Sequence, residues 1–448
     1  MDWILFHESG EKEIKVMKKV ILILTTLLIG LVSCREEIVP NSIIPIFDSI
    51  LDKPTQLTEY EFLDSTSFKY VTLPLDFGAN RVKDSILLAK LKNAHIRYIT
   101  YVYSDFKSDP NFKQEELNRE RLYYLYLSLI QLSDDEHIEI EWKVIEQTGA
   151  DSELSAKQLF HGFVIYYRPQ PTKESMQAEI TFVDQMIDTA LAYVTPVADT
   201  SLAVITEEEV RDKGFDISYE DAFEGTDAYP IVEAFDYGDY FVDTTVSASF
   251  NRNKHWDKML VLCDLTGSMS PYSAQLLVWH RLNIDKKKTQ HFVFFNDGDN
   301  TPDHKKKAGD TGGIYYSRAD DFDQLQRIAY KCMSHGGGGD APENDVEALL
   351  KGLNKCKNCG DVVLIADNWA NMRDYKFINK IDRPVRIILC GTQLGVNIQY
   401  LELARATKGS VHTMEEDINN LMDLREGEKV SIGKQNFLIS EGRFIEVK

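Results

Sequence analysis

Basic charge is scarce in this 448-residue chain: 50 Lys and Arg stand against 71 Asp and Glu, a net charge of −21. Nucleic-acid binding needs a basic footprint, so that class of function is excluded. Cysteine is scarce too, with six in all, at 34, 263, 332, 356, 359 and 390. The five beyond position 34 are an odd, scattered set and make no disulfide framework. Cys263 and Cys390 end apolar runs and read as small core hydrophobes. Cys356-Lys357-Asn358-Cys359 is a lone CxxC with no second pair and no following His, which sets zinc aside and leaves a local disulfide or two ordinary thiols open. Long apolar runs are missing as well: Val20 to Leu31 is about a dozen residues, too short to span a bilayer. Nor does any nucleophile with a nearby base stand out, so the chain is expected not to be an enzyme. What remains, 43% hydrophobic and 11% aromatic residues, excludes global disorder and leaves room for two or three domains.

The N-terminus has the order of a secretion signal: basic Met17-Lys18-Lys19, the apolar run, then Leu31-Val32-Ser33-Cys34. It resembles the lipobox of bacterial lipoproteins, which implies signal removal and lipid modification of Cys34. Residues 1–34 are therefore expected to be the signal, with Met17 as the natural start. The resemblance implies an envelope protein anchored to a bacterial membrane, the outer membrane first. The segment to be removed carries four Lys and four acids, so the rest stays at −21. Residues 35–55, with Pro40, Pro45 and Pro54, read as a tether, and Arg35-Glu36-Glu37 resembles surface-sorting signals of some lipoproteins.

Residues 56–200 read as a smaller N-terminal domain, mainly helical or α+β. Ala94–Tyr103 is rich in β-branched and aromatic residues and predicts a strand; Gln114–Leu132 has leucines near helical spacing. His137–Val144 alternates like a strand, yet Ser133 with Glu136 makes a capping-box pattern, and both readings stay open. Ser155–Tyr167 and Glu174–Val194 predict helices, with the aromatics Phe160, Phe163, Tyr166 and Tyr167 as core. Nothing here reads as chemistry, and His161 reads as a packed histidine. Residues 201–250 form an acidic connector: 207–243 hold thirteen acids against Arg211 and Lys213. A solvated linker or a docking strip for a basic partner both fit. Thr244–Phe250 predicts a strand.

From 251 the pattern changes to strand–helix alternation. Met259–Cys263 is apolar without alternation, as in a strand buried on both faces, and it ends in Asp264. Ser270-Pro271 opens a helix. Further strands are predicted at His291–Phe295, Gly313–Ser317, Val362–Ala366, Val385–Cys390 and Ser410–Thr413, with helices at Asp321–Met333, Glu343–Leu353, Met372–Ile381 and Asn397–Thr407. This is an α/β pattern, hence a mostly parallel, doubly wound sheet over 251–425, with ligands expected beyond the strands' carboxyl ends where strand order reverses. Residues 426–448 predict C-terminal strands. Two buried strands end in acids, Asp264 and Asp367, and the turn after the first carries Thr266 and Ser268. Such hard oxygens suit Mg²⁺, with Mn²⁺ or Ca²⁺ as alternatives. Asp297-Gly-Asp299-Asn-Thr301-Pro-Asp303 lacks the glycine and glutamate of a calcium loop and reads as turn chemistry at the rim.

Asp264-Leu-Thr266-Gly-Ser268 resembles the DxSxS signature of the von Willebrand factor type A (vWA) family, and Leu364-Ile-Ala-Asp367-Asn368 resembles its later acid-ending strand. The resemblance covers about 256–424 and implies a Rossmann-like vWA domain with a metal-ion-dependent adhesion site (MIDAS). In place of a ligating Thr stands His335-Gly-Gly-Gly-Gly-Asp340-Ala-Pro342-Glu343, similar to the GGGDxPE variant of hemicentins and kinase-associated type A domains. The implied metal set is Asp264, Thr266, Ser268, Asp340 and Asp367. Three carboxylates on a divalent ion leave about −1, and a partner carboxylate ~4 Å away meets ~4 kcal/mol of repulsion at an effective dielectric near 20. The expectation is a lipid-anchored envelope protein that binds a protein or peptide through this site. The alternatives are a metal-dependent hydrolase or other envelope enzyme, and a scaffold with a structural cation.

Overall fold

The structure is a computed structural model that describes residues 39–62, 70–92, 94–107, 109, 111–129, 140–194, 243–336 and 342–447. The expectations at Met17, Cys34, Ser133, Asp340 and most of the acidic connector fall outside these residues. The chain divides into Met1–Ser49 and Ile50–Lys448. In the first unit the described stretch enters a short helix, α1, Ile44–Leu51. All that follows concerns the second. Among the described residues no helix is long and apolar enough to cross a membrane.

The second unit is mixed α/β and holds a seven-stranded, mostly parallel sheet. In chain order its strands are β6 (Met259–Asp264), β7 (Thr289–Phe295), β8 (Ile314–Arg318), β9 (Val362–Asp367), β10 (Val385–Cys390), β11 (Ser410–His412) and β12 (Asp417–Ile418), arranged β12-β11-β10-β9-β6-β7-β8. The central five are parallel and the two edge strands antiparallel. Both faces are covered, which explains the unalternating apolar runs. Val261, Cys263, Phe292, Phe294, Val363 and Ile365 pack on one side, and Leu260, Leu262, Val293, Phe295, Leu364 and Ala366 on the other. The second face also takes Phe437, Ile439 and Phe444 from a C-terminal antiparallel meander, β13 (Lys429–Ile432), β14 (Gln435–Ser440) and β15 (Arg443–Val447).

Residues 55–168 form a smaller mixed sheet, ordered β1 (Thr55–Leu57), β4 (Glu141–Gln147), β3 (His95–Ser104), β5 (Gly162–Arg168), β2 (Tyr70–Pro74). Its first three strands are parallel, with β5 antiparallel to both β3 and β2. The sheet is mixed, with helices between its strands, and the stretch His137–Val144 overlaps the strand Glu141–Gln147, with 130–139 outside the described residues. The predicted helix Ser155–Tyr167 is corrected. A short helix, α4 (Glu153–Gln158), starts at a Ser152–Ser155 capping box and gives way to β5. Gly162 marks the change: at φ +142° its missing Cβ would lie 2.2 Å from the Leu73 carbonyl oxygen on β2, so only glycine lets the strands close. Beyond it, Phe163, Val164 and Ile165 favour a pleated, buried surface.

Two other expectations change. Thr244–Phe250 alternates like a strand but forms a helix, α6 (Thr245–Arg252), with Asp243 accepting from the Thr245 N–H at 2.9 Å. Val246 and Phe250, four apart, share its buried face, and Phe250 stacks on Trp279 at 4.0 Å. Met372–Ile381 shortens to a 3-10 stretch, Tyr375–Lys380. The predicted helix Glu174–Val194 forms as α5 (Lys173–Val194), but its Phe182, Val183, Met186 and Ile187 enter the core of the large sheet. Cys356 and Cys359 are disulfide-bonded.

Candidate metal centre

Strands β6 and β9 are neighbours, paired from Leu260–Val362 to Cys263–Ile365. From β6 the chain moves to β7 on one side, and from β9 to β10 on the other, so strand order reverses between them. Asp264 and Asp367 therefore stand side by side where an open α/β sheet forms its ligand crevice. Both are buried.

The turn after β6 is built around Asp264. Its Oδ1 accepts from the Thr266 N–H at 2.8 Å and its Oδ2 from Thr266 Oγ1 at 3.0 Å. A 3-10 turn, Gly267–Met269, then runs into α7 (Ser270–Asn283), which has Pro271 in its first turn. Ser268 Oγ donates to Asp367 Oδ2 at 2.8 Å. Each hydroxyl gives its proton to a carboxylate and keeps its lone pairs for an electrophile. Four of the five predicted ligands thus form two hydrogen-bonded pairs, Asp264 with Thr266 and Ser268 with Asp367, whose carboxylates lie close together. The fifth, Asp340, lies outside the described residues.

Glu343 joins them. Its carboxylate and those of Asp264 and Asp367 offer oxygens that all lie within 4.8 Å of one another. The backbone pins it: its N–H donates to the Asn371 carbonyl at 3.0 Å and its carbonyl accepts from the Arg373 N–H at 2.7 Å. The next helix, α9 (Asp345–Lys355), is capped by Asp374, which accepts from the N–H groups of Val346 and Glu347 at 3.3 and 2.5 Å. Glu343 stands in the quoted Asp340-Ala-Pro-Glu motif, yet motif matching passed over it. Its signal was an acid three residues beyond the implied ligand and just before a helix.

Electrostatically the cluster is short of cations. Burial first, then Asp297 and Asp367, push the carboxyl of Asp264 well above the usual range. Burial, then Asp297 and Asp264, do the same for Glu343. Asp345 is raised by burial and then Asp374, although Tyr400 donates to it at 3.0 Å. At 4.8 Å each pair of like charges costs roughly 3 kcal/mol at an effective dielectric near 20. Glu343 Oε2 is buried without a hydrogen-bond partner among the described residues, as is Asn344 Oδ1. A divalent cation bound by hard oxygens fits both the charge deficit and the orphaned oxygen. Asp299 takes no part, since Asn296 Nδ2 and the Tyr315 hydroxyl donate to it at 3.2 and 2.7 Å.

A cation does reach the cluster, from the small sheet. Arg168, the last residue of β5, forms a bidentate pair with Asp367, with Nη1 on Oδ2 and Nη2 on Oδ1, the latter at 2.9 Å. Its guanidinium lies over the Trp369 ring, 4.5 Å from the centroid. Val164 and Tyr166 of β5 pack with Trp369 and Ala370 and hold the two sheets together there. A second arginine, Arg97 of β3, donates to the Trp369 carbonyl at 2.9 Å. From the other side Glu179 of α5 meets the hydroxyl turn, where a Cβ on Gly267 would come within 2.5 Å of its Oε1. Burial pushes Glu179 up to about 8. Sequence reading missed both Arg168 and Glu179, because their positions depend on long-range packing. Comparison of the chain with models of known protein families, with curated proteins and with solved structures finds no match.

Proposed function

We propose that residues 251–425 are a vWA-type domain whose crevice between β6 and β9 binds a divalent cation, Mg²⁺ first. Asp264, Thr266, Ser268 and Asp367 are the proposed ligands, with Glu343 added and Asp340 retained from the motif. The observation that carries this reading is Glu343 Oε2, a buried carboxylate oxygen that has no partner among the described residues and sits among acids that repel one another. The cation serves binding of a protein or peptide by a chain held in a bacterial envelope through a lipid on Cys34. Arg168 favours a second reading, a scaffold: it saturates Asp367 from within the chain and covers that side of the cluster.

The test is calorimetric titration of Mg²⁺, Mn²⁺ and Ca²⁺ into the chain from Arg35, alongside Asp264→Ala. Saturable binding lost in the variant supports the site; a folded wild-type chain that takes up none of the three ions refutes it. Partner capture that needs both the cation and Asp264 separates the adhesion reading from the scaffold. Labelling with radioactive palmitate, in wild type and in Cys34→Ala, checks the anchor.

A further inference from the structure

A second site lies in the small sheet. Beyond the C-terminal end of β3, a cleft of about 450 Å³, its open mouth included, is lined by Ser104, Phe106, Phe112, Arg121, Phe77 and His161 among others. Among the described residues none of its lining side chains is acidic.

Arg121 belongs to α3 (Gln114–Ser128) and is only 2% exposed. Its Nε donates to the Ala79 carbonyl at 2.8 Å and its Nη1 to the Tyr101 hydroxyl at 3.2 Å. The Tyr101 hydroxyl donates in turn to Asn118 at 2.7 Å, which fixes the guanidinium's plane. Both partners are neutral, and no carboxylate pairs with Arg121 among the described residues. A buried guanidinium without a counter-ion costs several kcal/mol, and its Nη2 has no hydrogen-bond partner there. Ser104, also lining the cleft and 2% exposed, has its Oγ buried and without a partner among the described residues. Gln114, in the first turn of α3, also lines the cleft and adds a neutral amide. Phe77, Phe106 and Phe112 line the same cleft and offer apolar ring surfaces; Phe77 meets the His161 ring edge to face at 5.5 Å. One fixed cation and one hydroxyl in a cleft with three phenyl rings match one carboxylate on an apolar body.

We propose that this cleft binds a small organic carboxylate with a ring-sized apolar body, its carboxylate on Arg121 Nη2 and Ser104 Oγ. The site is independent of the metal centre and of the function proposed for it.

The test is titration of the full chain with benzoate, its neutral analogue benzamide, and inorganic phosphate, followed by calorimetry and by melting temperature. Benzoate is expected to bind saturably and at least ~10-fold more tightly than either control, the usual discrimination of a charge-assisted contact. Arg121→Gln should abolish the binding. Should that variant fail to fold, Ser104→Ala and Phe112→Ala decide, because the first removes an unpartnered hydroxyl and the second a ring 38% exposed. Each is expected to weaken benzoate ~3- to 10-fold. Absence of saturable benzoate binding to the folded chain overturns the proposal. So does benzamide or phosphate binding as tightly as benzoate, or benzoate affinity unchanged in both of these variants.

Discussion

Arg168 and Asp367 meet across two sheets, 199 positions apart in sequence, with the Asp367 side chain 3% and the Arg168 side chain 25% exposed. Asp367 Oδ1 accepts from Arg168 and from the Trp369 N–H, and Oδ2 from Arg168 and Ser268. A carboxylate has about four lone-pair sites, so with Arg168 in place none of them is left for a metal. Cation and guanidinium therefore compete for one carboxylate.

The first prediction concerns that competition. In Arg168→Met, cation-free protein should lose about 3 kcal/mol, since removing one member of a buried pair strands the other. Saturating Mg²⁺ should restore most of this, and Mg²⁺ affinity should rise at least ~10-fold. Melting curves and calorimetry, with and without the ion, make the comparison. An affinity that stays level or falls would show that Arg168 is no rival of the cation.

Glu343→Gln separates charge from shape. Without a cation the variant should be more stable than wild type, because an amide neither repels Asp264 and Asp367 nor has to take up a proton to avoid doing so. Cation affinity should fall at least ~10-fold with the loss of a carboxylate ligand. The two shifts have opposite signs, whereas a merely structural Glu343 would lower stability and leave cation binding alone.

Much of this site was legible from local sequence, because short-range physics sets it. A five-residue apolar run ending in Asp264 predicts a doubly buried strand and a tip acid, and Thr266 and Ser268 follow within one turn. The pairing of β6 with β9 was legible only as a condition, and the strand order meets it. Period misled where two structures share a pattern: Ser155–Tyr167 has helical spacing, but the close pass of Leu73 on Gly162 selects a strand. Thr244–Phe250 alternates, but the stack of Phe250 on Trp279 selects a helix. Arg168 and Glu179 were illegible, since nothing near them in sequence says which distant acid or turn they will meet.

Acid stability turns on His280, 3% exposed, whose ring contacts Phe292 and whose Nε2 lies 2.9 Å from the Ala319 carbonyl. Burial lowers it to about 4. The unfolded chain then binds the extra proton between pH ~6.5 and ~4, so this contribution to stability is whole above that window and lost as pH falls through it. Asp374, raised to about 6 by burial, acts with the opposite sign and stabilises as pH falls toward ~4. The raised carboxyls of Glu179, Asp264, Glu343 and Asp345 act with the sign of Asp374, so wild-type curves mix all of these with His280. In His280→Gln the loss of stability between pH 7 and 4 should shrink by a few kcal/mol. Urea melts at both pH values test this, and an unchanged difference would rule His280 out.

Gly409 tests the sheet apart from the site. It sits just before β11, after Lys408 has turned left-handed at φ 58°, and its N–H donates to the Ala404 carbonyl at 2.8 Å. An added Cβ would lie 1.9 Å from the Val385 carbonyl oxygen, a backbone atom at the start of β10. A rigid neighbour cannot yield as a side-chain tip can, so either β11 or β10 must move. Gly409→Ala should cost on the order of 2–4 kcal/mol, the range of a named backbone clash. Both strands enter the sheet here at their N-terminal ends, opposite the carboxyl ends that carry Asp264 and Asp367. Cation affinity of the folded variant should therefore match wild type within a factor of ~2, as sites without shared partners are near additive. Urea melts give the first quantity and calorimetry at low temperature the second. A loss of cation affinity equal to the loss of stability would mean that the acid cluster forms only when the whole sheet is intact.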